Sequence, residues 1–146
     1  MKNVIILCYA NYCRSPVAES IFKNFDLNEI SFCSRGLIQF NKFHMDPRSQ
    51  KFLESEQIPF KNHLPKKIKD NDIMTSDLII AMDYDVMFEF VKKFPKAKSK
   101  VKTINFFNPS LNVIDPYKFN KIEEYYEQLI NLKLLCEKWK TKLKEI

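Results

Sequence analysis

No stretch of this 146-residue chain approaches the roughly 18 consecutive apolar residues that a membrane helix needs, which excludes a helical span. No secretion signal is expected either. The opening residues, MKNVIILCYANYCRSP, set only Lys2 before a short apolar run and then turn polar without a small-residue cleavage site, so a cytoplasmic chain is expected. There is no internal repeat, low-complexity tract or linker. With 45% hydrophobic and 29% charged residues, disorder is excluded and one core is expected, a single domain over residues 1–146. Glycine is nearly absent, Gly36 being the only one, and only 3 of the 24 basic residues are arginine. The net charge of +6 is therefore carried by scattered lysines. Their density in the last stretch (Lys133, Lys138, Lys140, Lys142, Lys144) reads as a solvated helix face, so neither a nucleic-acid nor a membrane partner is expected. The cysteines at 8, 13, 33 and 136 are expected as free thiols.

What is present alternates between two periodicities. Val4 to Leu7 is a continuous apolar run, the pattern of a strand buried on both faces of a parallel sheet. Ser15-Pro16 then opens a segment with Val17, Ala18, Ile21, Phe22 and Phe25 at helical spacing. Ile30 to Cys33 reads as strand, and Pro47 to Glu56 as a helix with Phe52 and Leu53 inward. Asp77 to Ala81 reads as strand, Val86 to Phe94 as helix, Val101 to Phe106 as strand, and Lys121 to Leu143 as a long amphipathic helix carrying Trp139. This predicts an α/β fold, an open, mostly parallel sheet of four strands with helices on both faces. Ligands of such sheets bind beyond the carboxyl ends of the strands, where Cys8 to Ser15 would lie.

That segment is the informative one. Cys8 ends a strand and Arg14 follows six residues later at a helix opening. The backbone N–H groups of the intervening loop, Tyr9, Ala10, Asn11, Tyr12 and Cys13, can converge with the helix N-terminus on one tetrahedral oxyanion. Arg14 can clamp two of its oxygens, and Ser15 supplies a hydroxyl for a sulfur. A cysteine facing that positive concavity is expected as a nucleophilic thiolate. On spacing alone, a structural Cys8 with a surface Arg14 stays open. Far downstream, Asp115-Pro116 could supply a positioned carboxyl to protonate a departing phenolate. An ordinary Asp-Pro turn is the plainer alternative.

Cys8 to Pro16, with Ala18-Glu19, resembles the C-x-x-N-x-C-R-S-P-x-A-E signature of the low-molecular-weight protein tyrosine phosphatases. The resemblance implies that Cys8 attacks phosphorus, Arg14 binds the phosphoryl oxygens and Asp115 is the general acid and base. It implies no cofactor and no metal, and a substrate that is a phosphotyrosine protein or small aryl phosphate. By the same resemblance Ser34 and His63 support Asn11 behind the loop, while Phe40 and Tyr117 form facing aromatic walls that sandwich a phenyl ring. Cys13 would be a redox partner that forms a reversible disulfide with Cys8. Met82-Asp83 also resembles a family landmark, with only a structural role assigned to Asp83.

The family usually has glycine where Ala10 stands, so a positive φ there would strain the loop and could leave only a phosphotyrosine-binding module. Lys118 and Phe119 replace a common tyrosine and glycine, making the crevice rim more cationic. Arsenate reduction on the same fold would need cysteines between Ser76 and Val91, where there are none, and Cys33 and Cys136 are poor substitutes. A zinc site from Cys8, Cys13, Cys33 and a histidine has poor spacing.

Overall fold

Alternate residues of the first strand face opposite sides of the sheet, and this one fact organises the molecule. In the computed structural model, which describes residues 1–145, β1 spans Lys2–Cys8. Val4, Ile6 and Cys8 pack on one side with residues of α1 (Arg14–Lys23), α2 (Pro47–Ser55) and α5 (Ile122–Leu143). Ile5 and Leu7 pack on the other with residues of α3 (Asp70–Thr75) and α4 (Tyr84–Lys93). Burial on both faces is why the strand is an unbroken apolar run rather than an alternating one.

The sheet is parallel throughout, in the order β2-β1-β3-β4, with β2 at Ile30–Gly36, β3 at Leu78–Ala81 and β4 at Val101–Thr103. The chain leaves β1 for one neighbour and later returns to pair β3 on its other side. The loops after β1 and β3 therefore diverge at the carboxyl ends of adjacent strands, a crevice at the topological switch point. One loop carries Cys8 to Arg14, and the other carries Met82-Asp83.

The expected elements are present with shifted ends. β2 runs on to Gly36, which pairs with Cys8. β4 is shorter than the expected Val101 to Phe106: the Ile104 N–H still bonds the Ala81 carbonyl at 2.7 Å, but Phe106 N–H folds back onto Thr103 at 3.0 Å and ends the strand. Helix α3 is unheralded by apolar periodicity, since Ile73 is its only buried residue. Its start is held by Asp72, whose carboxylate accepts the Lys69 N–H at 2.9 Å. Trp139 of α5 is buried and donates its indole N–H to Ile104 at 2.7 Å, and Phe22 of α1 stacks on Phe32 of β2 at 5.1 Å. Burying such aromatic side chains contributes about 2–3 kcal/mol each.

Candidate active site

Most of the polar side chains this fold buries surround a single loop: Asn11, Arg14, Ser15, Ser34, Asp46 and Ser49 are each at most 3% exposed. Burial of polar groups is costly unless each is hydrogen-bonded, so the pairing around residues 8–15 deserves a full account.

Four carbonyls of the loop have donors outside it. Tyr9 accepts from the Leu37 and Ile38 N–H groups, Tyr12 from the Asp46 N–H, Cys13 from the Ser49 hydroxyl, and Asn11 from His63 Nε2. In a planar trans peptide the C=O and the next N–H point in opposite directions. The N–H groups of Ala10, Tyr12, Cys13 and Arg14 are thus turned inward, and among the described residues none of them has a protein acceptor. Helix α1 adds to this. Its N-cap, Cys13, makes no side-chain cap, whereas α2 and α4 are capped by Asp46 and Asp83. The uncapped end leaves its donors and dipole for an anion.

Cys8 Sγ sits at the base of this ring. It accepts the Asn11 N–H at 3.1 Å and lies 2.9 Å from Ser15 Oγ. Because Asn11 Nδ2 already donates to Ser15 Oγ at 2.9 Å, the serine proton is free to point at the sulfur. Asn11 uses every group it has: Nδ2 also donates to Ser34 Oγ at 2.9 Å, and Oδ1 accepts the Lys66 N–H at 2.8 Å. Its backbone is left-handed, φ 58°, a conformation asparagine tolerates, and His63 fixes its carbonyl at 2.7 Å. Burial holds the His63 imidazole below its usual range, so the ring is neutral and donates through Nε2.

Two sequence expectations about this loop change. The positive φ belongs to Asn11 and not to Ala10, so alanine brings no strain of that kind and the argument for an impaired binding module loses its basis. The glycine that matters is Gly36: a Cβ there would lie 2.9 Å from the Ala10 carbonyl carbon and 3.0 Å from the Asn11 nitrogen. Asp83 also does more than hold structure. Its Oδ1 caps α4 through the Val86 N–H at 2.7 Å, and its Oδ2 accepts from Arg14 Nη1, also at 2.7 Å.

Arg14 is almost fully buried. The same Nη1 donates to the Val113 carbonyl at 3.0 Å, fixing the guanidinium from one side so that its remaining donors face the pocket. Burial alone would lower its pKa, but Cys8, Asp83 and Asp115 reverse the sign and raise it. The pocket itself is about 180 Å3, bounded among others by Cys8, Tyr9, Ala10, Arg14, Phe40, Asp115 and Tyr117. Asp115 caps the 3-10 turn Pro116–Lys118, its Oδ1 accepting the Tyr117 N–H at 3.1 Å, which leaves Oδ2 for a ligand.

Phe40 and Tyr117 do not lie face to face. Phe40 and Tyr117 stand nearly perpendicular, 84° apart with centroids at 6.4 Å, and Tyr12 packs beneath both at 4.9 and 6.1 Å. Edge-to-face contact is a favoured arrangement of aromatic quadrupoles. Lys118 lines the rim as expected.

Behind the loop lies a network the sequence did not announce. Asp46 is held by Arg48 through Nε at 3.0 Å and Nη2 at 2.8 Å, and Arg48 Nη1 donates to the Phe119 carbonyl at 2.9 Å. Tyr125 meets Ser49 at 2.6 Å, and the Cys13 thiol points at Asp46 at 3.7 Å. Burial, with the negative charge of Asp46, Asp115 and Cys8 adding to it, pushes that thiol up. The only advance signal was the string Asp46-Pro47-Arg48 at a helix start. Neither Cys33 in β2 nor the fully buried Cys136 in α5 lines the pocket.

The family model for low molecular weight phosphotyrosine protein phosphatases matches residues 3–146. The low molecular weight protein-tyrosine-phosphatase PtpA of Staphylococcus saprophyticus is 31% identical over 136 residues, covering 88% of this chain and 87% of its own. The crystal structure of the low molecular weight protein tyrosine phosphatase of Streptococcus pyogenes superposes with a TM-score of 0.82 at 28% identity, over 98% and 93% of the two chains. The YwlE arginine phosphatase of Geobacillus stearothermophilus reaches 0.90 at 24% identity over 99% and 94%, a likeness of fold alone. The chain belongs to the low molecular weight phosphotyrosine protein phosphatase family.

Proposed function

We propose that this protein hydrolyses phosphotyrosine in polypeptides through a phosphocysteine on Cys8. One observation carries the reading: four inward N–H groups and the Arg14 guanidinium encircle a sulfur that itself receives two hydrogen bonds. The ring of donors matches the equatorial oxygens of a phosphoryl group, in the ground state and more strongly as charge develops in the transition state.

In the first step the Cys8 thiolate forms the S–P bond as the P–O bond to the aryl group breaks. The departing phenolate takes the proton held by Asp115. In the second, the Asp115 carboxylate removes a proton from water, the water oxygen attacks phosphorus, and the thiolate leaves. The residues involved supply positioning and charge, which is most of what phosphoryl transfer requires. Phe40, Tyr12 and Tyr117, which line the pocket, favour an aryl leaving group over a short aliphatic one. Ser34 and His63 act through Asn11, holding the loop. The cytoplasm is the compartment this reading assumes, where thiols stay reduced. We assign Cys13 as the thiol that captures an oxidised Cys8.

The test is hydrolysis of an aryl phosphate in the presence of a metal chelator. The wild type is expected to be active, Cys8→Ser inert, and Asp115→Asn slower by about 10²–10⁴. Phosphoarginine, the kind of substrate named for one structural neighbour, serves as the control and is expected to be poor. Full activity in Cys8→Ser would overturn the reading.

A further inference from the structure

A second concavity, about 530 Å3, opens on the other helical face, between α4 and the edge strand β4. Its floor is apolar and aromatic: Tyr84, Phe88 and Phe106 are 65%, 51% and 42% exposed, and Val91 lies beside them. Large aromatic side chains left this open on adjacent elements mark a contact surface. The charged residues lining it, Lys98 and Lys102, are both positive. They belong to a stretch from Phe90 to Ile114 that contains six lysines and not one Asp or Glu. The acids of α4, Asp85 and Glu89, do not line it, and Glu89 is engaged with Lys92 at 3.7 Å.

The groove is tied to the phosphate site through one side chain. Arg14 Nη1 bonds Asp83, the residue before Tyr84, and Val113, at the end of the loop that starts with Phe106. One lip of the groove, the start of α4, is thereby anchored next to the guanidinium that faces the pocket. The groove runs from Tyr84 and Phe106, beside the carboxyl ends of β3 and β4, down to Val91 and Lys98 before β4, so a polypeptide held by its phosphotyrosine would enter it at the Tyr84 end.

We infer that the α4–β4 groove docks an acidic, aromatic-containing segment of the phosphoprotein substrate, a reading that rests on the proposed phosphatase activity. Charge decides the class of occupant: a cationic rim over an apolar floor complements a segment carrying Asp or Glu between apolar side chains. Among the described residues β3 is the only strand neighbour of β4, which leaves one edge of β4 for an extended peptide. A single-stranded nucleic acid fits less well. Lys102 covers one face of Phe106 at 4.8 Å and Lys92 one face of Phe88 at 5.5 Å, which leaves fewer ring faces for bases to stack on.

The test compares matched phosphotyrosine peptides whose flanks carry Asp and Glu, before or after the tyrosine, with versions in which these are Asn and Gln. The wild type is expected to favour one acidic peptide by about tenfold in kcat/KM, through KM, with the preference fading as salt rises. The double variant Lys98→Glu/Lys102→Glu is expected to lose the preference and to keep wild-type kcat/KM on a small aryl phosphate. Equal rates on all peptides, or a preference that survives the double substitution, overturns the inference. An unphosphorylated acidic peptide titrated into the 15N-labelled protein should shift resonances in 84–91 and 98–106. Shifts caused by an oligonucleotide and not by the peptide would also overturn it. If the wild type fails on the aryl phosphate, the catalytic reading falls, while the titration still judges the groove.

Discussion

Arg48 joins the turn of Asp115 to the support of the Cys8 loop: Nη1 donates to the Phe119 carbonyl at 2.9 Å, while Nε and Nη2 hold both carboxylate oxygens of Asp46 at 3.0 and 2.8 Å. Asp46 in turn supports the phosphate loop through its N–H to Tyr12 at 3.0 Å, and Phe119 ends the turn that Asp115 begins. The guanidinium also covers the Tyr125 ring at 4.1 Å, so its position is fixed from three sides. Replacing it frees the acid's loop from the nucleophile's loop. Arg48→Ala is expected to slow phenyl phosphate hydrolysis by about 10–100-fold and nitrophenyl phosphate hydrolysis far less, because a good leaving group needs little protonation. Arg48→Lys keeps the charge but not the fork, and falls between. Equal losses on both substrates would show that Arg48 does not position the acid.

Gly36 is needed for close approach, and its replacement gives a contrast with Ala10. The backbone atoms met by a Cβ at 36 cannot rotate away, so Gly36→Ala should lower stability by about 1–3 kcal/mol and weaken phosphate protection against thermal unfolding. Ala10→Gly relieves no positive φ and frees the unfolded chain, so a loss of about 0.5–1 kcal/mol with no gain in turnover is expected. Faster turnover in Ala10→Gly would restore the idea of a strained loop.

His63 makes stability depend on pH with a definite sign. Its imidazole is held low by burial, so as pH falls the unfolded chain takes up the proton before the folded one does. The stabilisation is complete above the unfolded value, about 6.5, and is lost as pH drops below it. His63→Gln can still donate to the Asn11 carbonyl and does not titrate. Denaturant unfolding should therefore show the wild type's advantage over His63→Gln shrinking between about pH 7.5 and pH 5. An advantage that grows on acidification contradicts this assignment.

How much of this could be read in the residues follows from where the signals lie. β1 and α5 were legible because unbroken apolar and 3.6-residue patterns are set by burial on two faces and on one. α3 was not, since six residues with one buried side chain carry no period. Cys8, Arg14 and Asn11 stood in one contiguous string. Asp83, Asp46 and Arg48 act across 69, 33 and 71 residues of sequence, on Arg14, Cys13 and Phe119, and only the fold brings such partners together. The Ala10 expectation failed because a loop's positive φ cannot be assigned to one residue without its hydrogen bonds.

Oxidation offers a further check. Cys13 is buried and its thiol is pushed up, so it is a reluctant partner for a Cys8 sulfenic acid at neutral pH and a readier one in alkali. Peptide mapping after peroxide treatment should find a Cys8–Cys13 link whose yield rises with pH. Sulfinic acid on Cys8 with no link at any pH would remove Cys13 from that role.

The covalent intermediate is the claim on which all else rests. Asp115→Asn with nitrophenyl phosphate should form phosphocysteine readily, since that leaving group needs no acid, and hydrolyse it slowly for want of a base. Acid quenching and peptide mass spectrometry should then find one phosphoryl group on Cys8. Turnover without a labelled Cys8, or a label on any other residue, would contradict the account.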